Sequence, residues 1–114
     1  MDSILEVAKE YDALILDVRE AEYYREGHIK TAVNVPLEEI EDGNFYFDRY
    51  KTIIVYCERG ASSLTATRIL LDRGYDVINT IGGIVSYKGE LEKDGGGLNA
   101  TMIWQNRGKN VKYS

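Results

Sequence analysis

The sequence predicts an α/β domain built on a parallel sheet with helices on its faces, and three observations predict it. Helical and strand patterns alternate along the chain, which is the pattern of consecutive βα units. Ala13-Leu14-Ile15-Leu16 is apolar throughout rather than alternating, as a strand buried on both sides must be. The third is Thr52-Ile53-Ile54-Val55-Tyr56, a β-branched run that ends on the only cysteine, Cys57, before a glycine-containing loop and a helix.

Taken in order, Ser3 and Glu6 form a capping-box pattern, and Ile4, Ala8 and Tyr11 follow on one helical face. Ala13-Leu14-Ile15-Leu16 is too short for a buried helix and suits a strand, ending at Asp17-Val18-Arg19. Glu20 to Glu26 is predicted helical and stops at Gly27, an expected left-handed terminator. A short strand, Ala32 to Val35, is closed by Pro36, the only proline, and a turn or short helix follows over Leu37 to Glu41. After Cys57, a helix carries Ala66, Ile69 and Leu70 on one face, with Arg73 in its last turn and Gly74 as its stop. Asp76 to Ile81 is the next strand, Gly82-Gly83 a tight turn, and Ile84 to about Lys93 the last expected helix.

Composition limits the function classes. A chain of 114 residues, 44% hydrophobic and 29% charged, is expected to form one domain over residues 1–94. Residues 95–114 open on a Gly-Gly-Gly hinge and hold the only tryptophan, Trp104; they are expected to be an arm or tail of that domain, with docking to a partner as the alternative. The net charge of −5 argues against nucleic acid as a partner. No stretch approaches the length of a membrane span and no leader pattern opens the chain, so a cytoplasmic protein with no membrane contact is expected. One cysteine makes no internal disulfide, and a free thiol suits a reducing compartment. With a single histidine beside it, no recognisable metal site is expected.

Cys57 is the candidate nucleophile. At the end of a strand it would stand at the carboxyl edge of the sheet, where open α/β folds bind ligands. Amides of the loop Glu58-Arg59-Gly60-Ala61-Ser62-Ser63 and the following helix N-terminus would point at the sulfur and stabilise a thiolate. The plainer alternative is a buried cysteine serving as a small hydrophobe. Gly60 allows the loop to turn its amides inward, Ser62 and Ser63 suit either helix capping or contact with substrate, and Arg59 suits either an anionic donor or a salt bridge with Glu58.

Several segments together resemble the rhodanese domain. Leu16-Asp17-Val18-Arg19, Glu22-Tyr23, Gly27-His28-Ile29 and Ala32-Val33-Asn34-Val35-Pro36 look like the front half of that family. Val55-Tyr56-Cys57 with its loop, then Gly74-Tyr75-Asp76-Val77 and Gly82-Gly83, look like the active-site and closing segments, and the whole covers about residues 3–93. The chain is similar to the single-domain bacterial members, which implies a parallel five-stranded sheet with helices on both faces. It also implies a sulfurtransferase without a cofactor, moving sulfur from a small donor such as thiosulfate to a thiol or cyanide-like acceptor through a persulfide on Cys57. The alternative within that resemblance is a persulfide carrier or regulatory module fed by a sulfur-relay protein partner. Asp17, Arg19 and His28 match the family motif, and structural bracing is their expected role.

Two positions depart from the pattern. Ser62 stands where many members carry an arginine, which shifts anion binding toward backbone amides and weakens the expectation for thiosulfate. Thr31 stands where the family often has glycine. A phosphatase of the related dual-specificity type needs an arginine six positions after its cysteine, and that position here is Ser63.

Overall fold

The computed structural model describes residues 3–48 and 50–93. Its centre is a four-stranded, wholly parallel sheet of β1 (Leu14–Asp17), β3 (Val33–Asn34), β4 (Thr52–Tyr56) and β5 (Asp76–Asn79), in the order β3-β1-β4-β5. In register, Leu16 pairs with Val33 on one side and Val55 on the other, and Ile54 pairs with Ile78. The helices are α1 (Ile4–Tyr11), α2 (Ala21–Glu26), α3 (Leu37–Asp42) and α4 (Ala61–Asp72).

The central strands β1 and β4 bury both faces. Leu16, Ile53 and Val55 point to one side, where they pack with Ile40 of α3 and with Ala66 and Leu70 of α4. Ile15, Ile54 and Tyr56 point to the other, against Ile4 of α1 and Tyr24 of α2. Successive side chains on a strand alternate faces, so one five-residue run supplies two cores.

Some expectations are corrected. The resemblance implied five strands in one sheet; among the described residues four pair there, and β2 (His28–Ile29) instead forms an antiparallel ribbon with β6 (Leu91–Glu92). The Ile29 amide donates to the Tyr56 hydroxyl at 3.1 Å, so a side chain takes up a donor that a sheet neighbour would otherwise use. The helix expected over Ile84 to Lys93 is a single 3₁₀ turn, Ile84–Ser86, followed by β6. Its first amides bond across the fold, Ile84 to the Cys57 carbonyl at 2.8 Å and Val85 to that of Glu58 at 3.2 Å, and Leu91 and Glu92 then pair with β2. Ser3 occupies the position before α1 but makes no side-chain cap. Gly27 ends α2 in an extended conformation, φ 168°, rather than a left-handed one; Leu91 packs where its side chain would stand. The arm expected over 95–114 lies outside the described residues.

Candidate functional site

Cys57 follows directly on β4 and is buried, with 3% of its surface exposed. Two backbone amides converge on its sulfur, Gly60 N–H at 3.0 Å and Ser63 N–H at 3.2 Å. The loop can curl this tightly because Gly60 takes φ 118°, a conformation closed to most side chains. Ser63 is fully buried and its hydroxyl donates to the Gly60 carbonyl at 3.1 Å, closing the turn from within. Cys57 thus sits over the first turn of α4, where unpaired N–H groups and the helix dipole favour negative charge on sulfur.

A cavity of 460 Å³ opens beside the sulfur at the carboxyl edge of the sheet. Val18, Arg19, Glu20 and Tyr23 reach it after β1, Pro36, Leu37 and Glu38 after β3, and Glu58 and Ser62 after β4. Ligand crevices in open α/β sheets form at this edge for the same reason, since every strand there hands over to a loop. Within the expected loop, Glu58 and Ser62 face the cavity, while Gly60 and Ser63 contribute amides to the sulfur. Arg59 and Ala61 are exposed. Glu58 pairs with Arg19, at 3.4 Å, and not with Arg59.

Beneath the cavity lies a buried ion pair. Arg19 Nη2 stands 2.7 Å from Asp17 Oδ2 and also 2.7 Å from the Gly27 carbonyl oxygen, while Arg19 Nε donates to both Asp17 oxygens at 3.1 Å. Burial lowers the Arg19 pKa, but the Asp17 hydrogen bonds and charge outweigh it, and the guanidinium is held above its ordinary value. Tyr56 completes the cluster: burial first, then the Asp17 charge, push its phenol well above the usual tyrosine range. Asn34 ties the strand ends together by donating to the Asp17 and Arg19 carbonyls, both at 2.9 Å. His28 stacks on Tyr24 with ring centroids 3.8 Å apart and hydrogen-bonds the Tyr24 carbonyl through Nδ1 at 2.8 Å. Asp17, Arg19 and His28 are therefore the braces the sequence suggested.

The sequence did not single out Glu20, Tyr23 or Glu38 as site residues. Their signal was available in principle: Glu20 and Glu38 follow strand ends, and in a parallel sheet all strand ends that carry a ligand site share one edge.

Comparison with known proteins places the fold in a family. The model of the rhodanese-like domain family matches residues 2–90. The thiosulfate sulfurtransferase GlpE of Coxiella burnetii is 32% identical over 84 residues, 73% of this chain and 78% of that protein. The putative sulfur carrier protein YrkF of Bacillus subtilis is 35% identical over 79 residues, 68% of this chain but 43% of that longer protein. Among solved structures, the BH2092 protein of Bacillus halodurans superposes with a TM-score of 0.70 at 31% identity, covering 92% of this chain and 84% of that one.

Proposed function

The chain belongs to the family of rhodanese-like domains, and from that premise we propose that it is a sulfurtransferase whose Cys57 carries sulfane sulfur as a persulfide. The observation that carries this reading is the pair of amides, from Gly60 and Ser63, aimed at the Cys57 sulfur. In the first half-reaction the Cys57 thiolate attacks the outer sulfur of a donor such as thiosulfate. A Cys57–sulfur bond forms, the donor's sulfur–sulfur bond breaks, and sulfite departs with the bonding pair. In the second, an acceptor thiolate or cyanide takes the outer sulfur and regenerates the Cys57 thiolate. The anion on sulfur exists before and after each step, so fixed N–H donors serve both forms without rearrangement.

A low-dielectric setting sharpens the effect, because Cys57 is almost fully buried and its donors are held by backbone. The phosphatase alternative lacks its guanidinium, since Ser63 meets the sulfur with a backbone amide. A second reading, a carrier fed by a protein partner, draws support from the similarity to YrkF, a relative named as a putative sulfur carrier. A reducing cytoplasmic setting is part of either reading, because a solitary reactive thiol survives there.

The test is intact mass. Incubation with thiosulfate is expected to add one sulfur atom, removable by reductant, to the wild-type chain and none to Cys57→Ser. Sulfur gained equally by Cys57→Ser would overturn the role of Cys57. No gain by a folded wild-type chain would rule out thiosulfate as the donor and leave another donor or the carrier reading.

A further inference from the structure

Three carboxylates surround the opening over Cys57. Glu20 after β1, Glu38 in the first turn of α3 and Glu58 after the nucleophile all line the one cavity, and all three residues are exposed. Among the described residues the lining holds one cation, Arg19, and it is already engaged: Asp17 and the Gly27 carbonyl hold it from below, and its remaining arm reaches Glu58. The guanidinium therefore does little more than balance Asp17, and the opening keeps a strongly negative character. Arg59, the loop's own cation, is exposed and is not part of the lining.

Two further features favour an organic cation over an inorganic oxyanion. Tyr23 lines the cavity and is 48% exposed, and aromatic rings of this kind attract ammonium and guanidinium groups. Val18, Pro36 and Leu37 add apolar wall that can contact the methylenes of a carbon skeleton.

Building on the sulfurtransferase reading, we propose that the cavity selects its sulfur donor by charge and takes a cationic hydropersulfide, R–S–SH, in which R carries an ammonium or guanidinium near the sulfur. The Cys57 thiolate attacks the outer sulfur, a new sulfur–sulfur bond forms to Cys57, and the donor's sulfur–sulfur bond breaks. RS⁻ leaves with the pair and takes up the proton released by the transferred sulfur, so the products are the Cys57 persulfide anion and RSH. No oxidant or reductant is consumed. The donor's charge stays beside Glu20, Glu38 and Glu58 throughout, and attraction at these distances is screened by salt.

The experiment measures single-turnover loading of Cys57, by mass, from the hydropersulfides of cysteamine, 2-mercaptoethanol and mercaptoacetate, which are cationic, neutral and anionic. Intrinsic leaving-group differences cancel when the cation-to-anion rate ratio of the wild type is divided by that of Glu20→Gln/Glu38→Gln and of the triple variant with Glu58→Gln. A quotient on the order of tenfold for the triple variant, shrinking in the wild type at about 1 M salt, is expected. A quotient near one, in variants that keep the wild-type circular dichroism and still load, overturns charge selection and leaves the sulfurtransferase reading standing. Failure of all three donors to load the wild type overturns both. Persulfidated peptides of basic composition identify the source: faster loading than from cysteamine hydropersulfide assigns the cation to a protein, slower loading to a free aminothiol, and either outcome supports the selection.

Discussion

Gly83 lies so close to Glu58 that no side chain fits between them. A Cβ at Gly83 would stand 2.3 Å from the Glu58 carbonyl oxygen and 2.6 Å from the Arg59 amide nitrogen. The segment after β5 therefore presses directly on the backbone of the loop that holds the Cys57 sulfur, and the amides of Ile84 and Val85 fasten it there.

Gly83→Ala is accordingly expected to displace the loop. Gly83 has φ 65° and ψ −169°, a combination essentially restricted to glycine, and the contact it would violate is backbone that cannot rotate away. A loss of about 2–4 kcal/mol in urea unfolding is expected, with a fall in Cys57 loading in the fraction that remains folded. Wild-type stability and loading in this variant would show that the loop tolerates the added carbon.

Arg19→Lys tests the brace. An ammonium keeps the charge but cannot bond Asp17, the Gly27 carbonyl and Glu58 in one plane as the guanidinium does. Asp17 is fully buried, so its incomplete pairing is expected to lower stability by about 3 kcal/mol. The midpoint of urea denaturation is the measurement, and an unchanged midpoint would assign the pair no structural role.

Tyr56 makes a prediction about alkaline pH. Its phenol stays protonated in the folded chain well above the ordinary value, through burial and the neighbouring Asp17 charge, whereas in the unfolded chain it ionises near pH 10. Its contribution to stability is thus complete below about pH 10 and declines above it, by about 1.4 kcal/mol per pH unit. Tyr56→Phe cannot titrate, and leaves the Ile29 amide without its partner. Its stability deficit is therefore expected to shrink with that slope above pH 10. Parallel stability curves for the two chains would contradict the assignment.

Thr31→Gly is expected to stabilise the protein. Thr31 has φ 69°, a left-handed conformation that its branched Cβ opposes, and the residue is exposed. Relief of that strain outweighs the added freedom of glycine in the unfolded chain by roughly 0.5–1 kcal/mol. Thermal unfolding would register a small rise; a fall would mean that the threonine side chain contributes more than its backbone costs.

The sequence by itself determined the central elements and the nucleophile's place. Ala13-Leu14-Ile15-Leu16 and Thr52-Ile53-Ile54-Val55-Tyr56 read as strands from their own composition, and the strand–loop–helix junction at Cys57 brought backbone amides within reach of its sulfur. These features are local, carried by periodicity, by β-branched residues and by the conformational freedom of Gly60. Tertiary structure alone decided which amides of the loop reach the sulfur, that Glu20, Tyr23 and Glu38 share the cavity with Cys57, and that Glu58 answers to Arg19 and not to adjacent Arg59. It also turned the expected helix after Gly83 into a 3₁₀ turn and a strand, because Cys57, Glu58 and β2 offered those backbone groups better partners than their own neighbours. Contacts between residues distant in the chain leave no periodic trace in it, and the site's charge is made almost entirely of such contacts.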